Sequence, residues 1–454
     1  MNHTVPPDHH LPGLALGSGL LRADSAAVLK RFFHLERALV TACAGWIPAA
    51  RRLETKLALA RATWEDALTA DALRTRVFEL KYPDRGIEPG DDAHLVALYE
   101  SALHAPSAVA LLRAQARVLL PLLAASYRSY LGAADAIADA PTRRFLGLAL
   151  GEVEAQIALF EQVASDELDS SGPGQDERIS GESESWIAGL GEYLSRLREH
   201  RQDGDTPHAG LVIAPGRPWQ LAEDPGRDER YLATSFYWPD NFEPGASYGD
   251  GLQLQLRSAV SHLNEVWAVD TAAANLVLLS PELGWEFVVD AARWVYDEAR
   301  HMTMGKSRLE GWGLRPAEIP LGGFIYEACR GQDPILRLAM LAYFETKNIG
   351  KKRERTNAFH ELGDEVSARD MDFDWADEGM HAAYGRKWMR VLLEKRGRGA
   401  EAWPELLQRC EALVAQRVAA ASEQERERLT ADVQRLITRA AEIADRPGAR
   451  LRAS

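Results

Sequence analysis

The chain has 454 residues, of which 46 % are apolar and 26 % charged, and it carries a formal charge of −14. That length exceeds one ordinary core and points to two or three globular domains. The acidic balance argues against nucleic acid as a partner, because binding phosphate needs a basic surface.

Residues 1–24 read as a loose arm, and the His9-His10 pair within it is expected to be incidental. This N-terminus lacks the basic segment and apolar stretch of a secretory signal. From Ser25 to about Val163, Ala and Leu recur at helical spacing. Four helices are expected there: Ser25–Gly45, Ile47–Leu80, Ala93–Leu131, with an interruption near Pro106 as the alternative, and Pro141–Val163, with Pro121 kinking the third. Residues 165–185 are rich in Ser, Gly, Asp and Glu and read as a linker. A short helix, Trp186–His200, should follow, and then an extended, aromatic segment from Thr206 to Tyr248. Its aromatic residues, Phe236-Tyr237-Trp238 among them, are expected to cover a helical core, and a lid over a substrate entrance is the sharper alternative.

The next section is punctuated more clearly. Asp250 can cap a helix running to about Leu279, and Ser280-Pro281-Glu282 reads as the cap, proline and acidic first turn of a second helix. That helix should end near Gly311-Trp312-Gly313. Asp333-Pro334 repeats the cap-and-proline pattern for a third helix, and Gly363 marks the turn before a fourth, from about Ser367 to Arg396. Residues 401–454 read as one or two polar helices and a frayed end. No apolar run along the chain looks long enough to cross a bilayer. Cys43, Cys329 and Cys410 stand singly, which suits neither a disulfide framework nor a thiolate metal site, and a reducing cytoplasm is the expected location.

One pattern in this section carries chemistry. Tyr296-Asp297-Glu298-Ala299-Arg300-His301 and Ala376-Asp377-Glu378-Gly379-Met380-His381 both have the form Asp-Glu-x-x-His. Glu and His three apart on a helix share a face and can reach one metal ion. A lone Glu-x-x-His is weak, but each copy also has a mid-helix glutamate in the preceding helix. Glu265 precedes Glu298 by 33 residues and Glu345 precedes Glu378 by the same interval. Each of the four lies four to five turns from its hairpin tip, roughly 22–27 Å along the helix. Asp270 is the rival on its helix, but it sits roughly 7–8 Å nearer the tip. The neighbours Trp267, Trp294, Val295, Met340, Tyr343 and Phe344 read as core, where unpaired carboxylates would be costly and a pair of cations would neutralise them.

These residues resemble the ferritin-like superfamily of di-iron carboxylate proteins, whose pattern is Glu, Glu-x-x-His, Glu, Glu-x-x-His. More narrowly, Val366-Ser367-Ala368-Arg369-Asp370 followed by Asp374-Trp375-Ala376-Asp377-Glu378-x-x-His381-x-x-x-Gly385-x-x-Trp388 is similar to a bacterial ferritin-like family without an assigned function. The resemblance implies Glu265, Glu298, His301, Glu345, Glu378 and His381 as metal ligands, with two carboxylates bridging. It also implies an all-α fold: two tandem ferritin-like four-helix bundles plus extra C-terminal helices. The domains would be 25–165, a metal-free bundle; 166–249, linker, short helix and aromatic segment; 250–398, the metal-binding bundle; and 399–454, a helical tail. The first bundle resembles a worn copy of the second. Thr69 stands in the histidine position of Glu65-Asp66-x-x-Thr69, and Ile157 in that of Glu154-x-x-Ile157, while Pro121 falls where a ligand glutamate would be.

Four carboxylates with two imidazoles suit two iron ions, or a manganese–iron pair, better than zinc or copper. Two ferrous ions can reduce O₂ to an oxidant for an organic molecule, so a non-haem oxidase or oxygenase acting on a small substrate is the first expectation. Iron handling as a ferroxidase or peroxide-reducing protein is the second, and a metal-stabilised scaffold the third. Asp297 and Asp377 are expected to accept hydrogen bonds from the ligand imidazoles, and Arg300 to pair with one of these carboxylates. Tyr296, Trp267, Phe344 and Tyr384 are candidates for the pocket wall or an electron relay, with core packing the plainer role. An electron-donor protein is a further expected partner, and the chain is expected to be a monomer or homodimer without membrane contact.

Overall fold

A computed structural model describes residues 19–81, 86–169, 175–202, 213, 216–238, 249–399 and 402–451. Helix dominates, and the strands among these residues are two parallel dipeptides, β1 (Leu232–Ala233) and β2 (Pro320–Leu321). The chain divides into two compact units. One comprises the described residues up to Trp46 together with Arg61–Gln220, and the other comprises Ile47–Ala60 with Leu221 onward. These limits differ from the expected ones: the fourteen residues from Ile47 group with the second unit, and so does the C-terminal tail.

The first unit holds α1 (Arg22–Trp46), most of α2 (Leu53–Leu80), α3 (Ala93–Glu100), α4 (Ala108–Ala114), α5 (Leu120–Ala133), α6 (Ala140–Leu168) and α7 (Gln175–Gln202). The expected third helix is broken at Ser101–His104, and a π-helical turn at Gln115–Leu119 joins α4 to α5. Pro121 stands two residues past the end of that wider turn, in the first turn of α5, and the helical run continues past a residue that cannot donate to the α-ladder. The run Ala108–Ala133 has the length and hydropathy of a membrane span, but 72 % of its most apolar window is buried inside the protein, as in a core helix. Much of the supposed linker is helical too. α6 extends to Leu168 and α7 opens at Gln175, well before the expected Trp186. Trp186, Leu190 and Leu197 give α7 a buried stripe, and it packs on α4.

The second unit continues with α8 (Gly251–Asn264), α9 (Val266–Leu283), α10 (Trp285–Gly311), α11 (Phe324–Ala328), α12 (Pro334–Glu361), α13 (Glu365–Lys395), α14 (Ala402–Ala419) and α15 (Glu423–Ala444). α10 lies along α8 and α9, α12 along α13, and α9 and α10 each meet α13. Two boundaries differ from expectation. The helix expected from Asp250 to Leu279 breaks at Glu265, whose ψ of −1° ends α8 and starts α9. The second difference is at Pro281, where α9 runs through the proline instead of ending before it. Pro281 cannot donate to the Val277 carbonyl, and the Ser280 hydroxyl donates there instead at 3.4 Å. Gly284, at φ 84°, then stops the helix, a conformation that favours glycine. Asp333 caps α12 as expected, its side chain accepting from the Ile335 N–H.

In the aromatic segment, the described residues 216–238 are largely non-helical, and 239–248 lie outside the described residues. Phe236 packs on Phe324 with ring centroids 5.0 Å apart, inside the second unit.

Candidate metal centre

Glu265, Glu298, His301, Glu345, Glu378 and His381 come together in the second unit from α8/α9, α10, α12 and α13. Among the described residues, four groups of donor atoms each lie within 4.8 Å: Glu265–Glu298–His301 and Glu298–Glu345–His381, made of these residues alone, and His301–Asp374–Glu378 and His262–Glu265–Asp374, which also include Asp374. Glu298 belongs to both of the first two groups. The two imidazoles lie with ring centroids 6.0 Å apart. His301 Nδ1 is 3.4 Å from Glu265 Oε2 and 3.7 Å from Glu298 Oε2. His381 Nδ1 is 3.2 Å from Glu298 Oε1 and 3.8 Å from Glu345 Oε2.

Glu265 Oε2, His301 Nδ1, Glu345 Oε2, Glu378 Oε2 and His381 Nδ1 are all buried, and none makes a hydrogen bond. Burying so many polar atoms without hydrogen bonds is expensive unless something else satisfies them. They belong to five of the six expected ligands, and they are oxygens and imidazole nitrogens, the donors that suit iron or manganese. The residues therefore fit a pair of divalent cations.

The supporting groups are crossed between helices. His301 Nε2 lies 3.3 Å from Asp377 Oδ2, and His381 Nε2 lies 3.4 Å from Asp297 Oδ2. Each imidazole thus donates from Nε2 to an aspartate of the other Asp-Glu-x-x-His helix, which leaves Nδ1 facing the carboxylates. Arg300 joins the two aspartates, at 2.6 Å from Asp297 and 3.0 Å from Asp377. Arg293 does the same at 2.6 and 3.4 Å.

Burial opposes charge on both imidazoles most strongly, yet the surrounding carboxylates hold them well above the ordinary histidine range. Burial, with Glu345 beside it, pushes Glu378 well up, and burial also raises Glu345. Burial works against the ionised form of Asp374, but Lys352, His301 and His262 outweigh it and hold that carboxyl well down. The pocket carries an excess of negative charge that its own protons partly offset.

Several participants were not anticipated. Asp374, one turn before Glu378, is fully buried and lies 3.5 Å from His301 Nδ1. Lys352, seven residues after Glu345, donates to both Asp374 oxygens at 2.6 Å and to Glu378 Oε1 at 2.7 Å. His262 Nε2 is 2.9 Å from Asp374 Oδ2, and Arg308 donates to its Nδ1 at 2.6 Å. Trp294 donates to Glu298 Oε1 at 3.0 Å and stacks on His381 with centroids 5.3 Å apart. The spacing Asp374-x-x-x-Glu378 and Glu345-x₆-Lys352 places each on its ligand's helix face, so periodicity held a signal for both. Asp270, the rival ligand, is held elsewhere by the buried Lys56 at 2.6 Å.

A cavity of about 70 Å³ opens onto the cluster, and Glu265, Glu298, Glu345 and Glu378 form part of its lining. Trp267 and Phe344 wall it, meeting edge to face at 5.5 Å, and Tyr237 contributes from the aromatic segment. Tyr296 and Tyr384 are not among its lining residues. Tyr384 lies instead beside Trp294, with centroids 6.2 Å apart. His9 and His10 lie outside the described residues.

The corresponding region of the first unit differs. Glu36 and Asp66 are buried, and burial lifts both well above the ordinary carboxyl range. Gln156 donates to Asp66 Oδ1 at 2.9 Å. Glu154, placed in the ligand-glutamate position of the worn motif, is exposed and pairs with Arg128 at 2.6 Å. The inward face of α6 is Val153, Gln156 and Phe160, so the buried i, i+3 pair Val153/Gln156 is one residue out of step with the proposed Glu154/Ile157.

The fold and cluster thus define an all-α protein with a buried carboxylate–imidazole centre. Residues 218–436, just under half of the chain, match the family described as "Protein of unknown function (DUF455)". No curated protein and no solved structure matches the chain.

Proposed function

We propose that the second unit is a ferritin-like four-helix bundle holding two iron ions, or a manganese–iron pair, and that it is an oxidoreductase using O₂ to oxidise a small organic substrate. The observation that carries this reading is the set of five buried donor atoms on Glu265, His301, Glu345, Glu378 and His381 that make no hydrogen bond. Glu265, Glu298 and His301 would hold one ion, and Glu298, Glu345 and His381 the other, with Glu378 supplying a further oxygen. When bound, such ions supply the electrons and Lewis acidity that O₂ chemistry needs. Asp297 and Asp377 keep a proton on each Nε2, so that Nδ1 carries the lone pair. Trp267 and Phe344 give one apolar wall to a cavity otherwise lined mainly by polar and charged side chains, and its volume of about 70 Å³ suits O₂ and a small reacting group.

The test is anaerobic loading with ferrous iron, metal analysis, and O₂ addition with consumption followed at an electrode. Two irons per chain and stoichiometric O₂ uptake are expected. His301→Ala and His381→Ala should abolish uptake, while Thr69→Ala should retain it. Growth of many irons per chain would instead assign iron storage, and two bound irons inert to O₂ and peroxide would leave a scaffold.

A further inference from the structure

Lys352 is an unusual neighbour for a metal centre, being a cation among the carboxylates that would bind cations. It is 4 % exposed, and its three short hydrogen bonds go to Asp374 Oδ1, Asp374 Oδ2 and Glu378 Oε1. An ammonium has three protons, so its donor capacity is spent inside the cluster. Two consequences follow from the geometry. Glu378 has one oxygen committed to lysine, and its other oxygen, Oε2, is buried without a hydrogen bond. Asp374 has a carboxylate close enough to His301 and Glu378 to join the donor set, yet both its oxygens are held by Lys352, and His262 holds Oδ2 as well.

Charge leads to the same division. The Arg293 and Arg300 guanidiniums serve Asp297 and Asp377. Lys352 cancels Asp374. Glu265, Glu298, Glu345 and Glu378 remain, and once ionised they would present four negative charges to two divalent cations.

We propose that Lys352 is a positioning residue that limits Glu378 to one metal-facing oxygen and withholds Asp374 from the metals, so that the centre takes two divalent ions on four glutamates. This rests on the two-metal reading above. It assigns Asp374, which a donor count would add as a seventh ligand, to the lysine.

Titration with Mn(II), with free ion followed by electron paramagnetic resonance, tests the assignment without any turnover. The wild-type chain should take up two ions. Lys352→Met removes the cation and releases Asp374, so Mn(II) affinity should tighten by about tenfold or more. The double variant Lys352→Met/Asp374→Asn restores the charge balance and should bind two ions within about threefold of wild-type affinity. Unchanged or weaker binding by Lys352→Met overturns the proposal. So does a loss of about tenfold or more in the double variant, since Asp374 would then be a ligand. If the single variant does not fold, the double variant decides, because it removes the Asp374 carboxylate together with its lysine and leaves the net charge of the cluster unchanged. Failure of the wild-type chain to bind two ions overturns the two-metal reading itself, which is a separate result.

Discussion

His301 and Asp377 belong to different helices, yet Nε2 of the one lies 3.3 Å from Oδ2 of the other, and His381 with Asp297 repeats the relation in reverse at 3.4 Å. Each Asp-Glu-x-x-His motif therefore supports the histidine of its counterpart. The two helices are tied into one unit at the level of the ligand tautomer, and a change in either aspartate acts on the opposite imidazole.

Asp377→Asn should accordingly weaken binding at the ion that uses His301, and Asp297→Asn at the ion that uses His381. A loss of about 10–100-fold in metal affinity is expected for each. Calorimetric Mn(II) titration checks this, and equal affinities in both variants and the wild-type chain would remove the supporting role.

The same aspartate predicts a pH dependence. Burial disfavours its ionised form, but His381 and Arg293 overcome that and hold Asp297 down at about 2. A depressed carboxyl contributes stability that is present above its unfolded value near 4 and is lost as pH falls through about 2. In metal-free protein, Asp297→Asn should cost about 2 kcal/mol at pH 7. The deficit should stay constant down to about pH 4 and shrink below it. Urea unfolding at a series of pH values reads this, and a deficit that grows on acidification would contradict it.

Gly305 sets the spacing of α10 and α8. A Cβ at this position would run into the Leu263 amide and the Ala259 carbonyl, both of them backbone. Gly305→Ala must push the helices apart, at a cost of about 1–3 kcal/mol. The displacement would reach His301 and Glu265, one turn or less from the contact, so weaker Mn(II) binding should accompany the lower Tm. Normal affinity with a lowered Tm would show that the centre tolerates the shift.

Lys56 and Asp270 form an ion pair at 2.6 Å in which neither side chain has more than 3 % exposure. Lys56→Met leaves a buried carboxyl without its partner, and about 3–5 kcal/mol of stability should be lost at pH 8. Burial already holds Asp270 up at about 6, against the pull of Lys56. A carboxyl raised in the folded state favours folding at low pH and loses that contribution as pH rises through its folded value. The Lys56→Met deficit should therefore be smaller at pH 5 than at pH 8. Lys56→Met/Asp270→Leu should recover most of the loss, as judged by thermal melts at both pH values.

Much of the candidate centre was legible in the amino-acid sequence because helical periodicity is a local property. Glu298 and His301, three residues apart, must share a face, and the equal intervals of 33 residues place Glu265 and Glu345 at matching heights on neighbouring helices. The helix-opening Asp333-Pro334 was readable for the same reason. Tertiary structure decided what depends on partners distant in the chain. Ser280-Pro281 has the form of a helix start, but Ser280 repairs the missing hydrogen bond and the helix continues to Gly284. Asp374 and Lys352 are ordinary charged residues until α12 and α13 face each other and bury them 2.6 Å apart. The crossing of Asp297 with His381 has no counterpart in spacing along either helix. Local pattern determines which way a side chain points on its own helix, whereas only packing determines which charge it meets there, and in a buried site that meeting sets both the protonation and the freedom to bind metal.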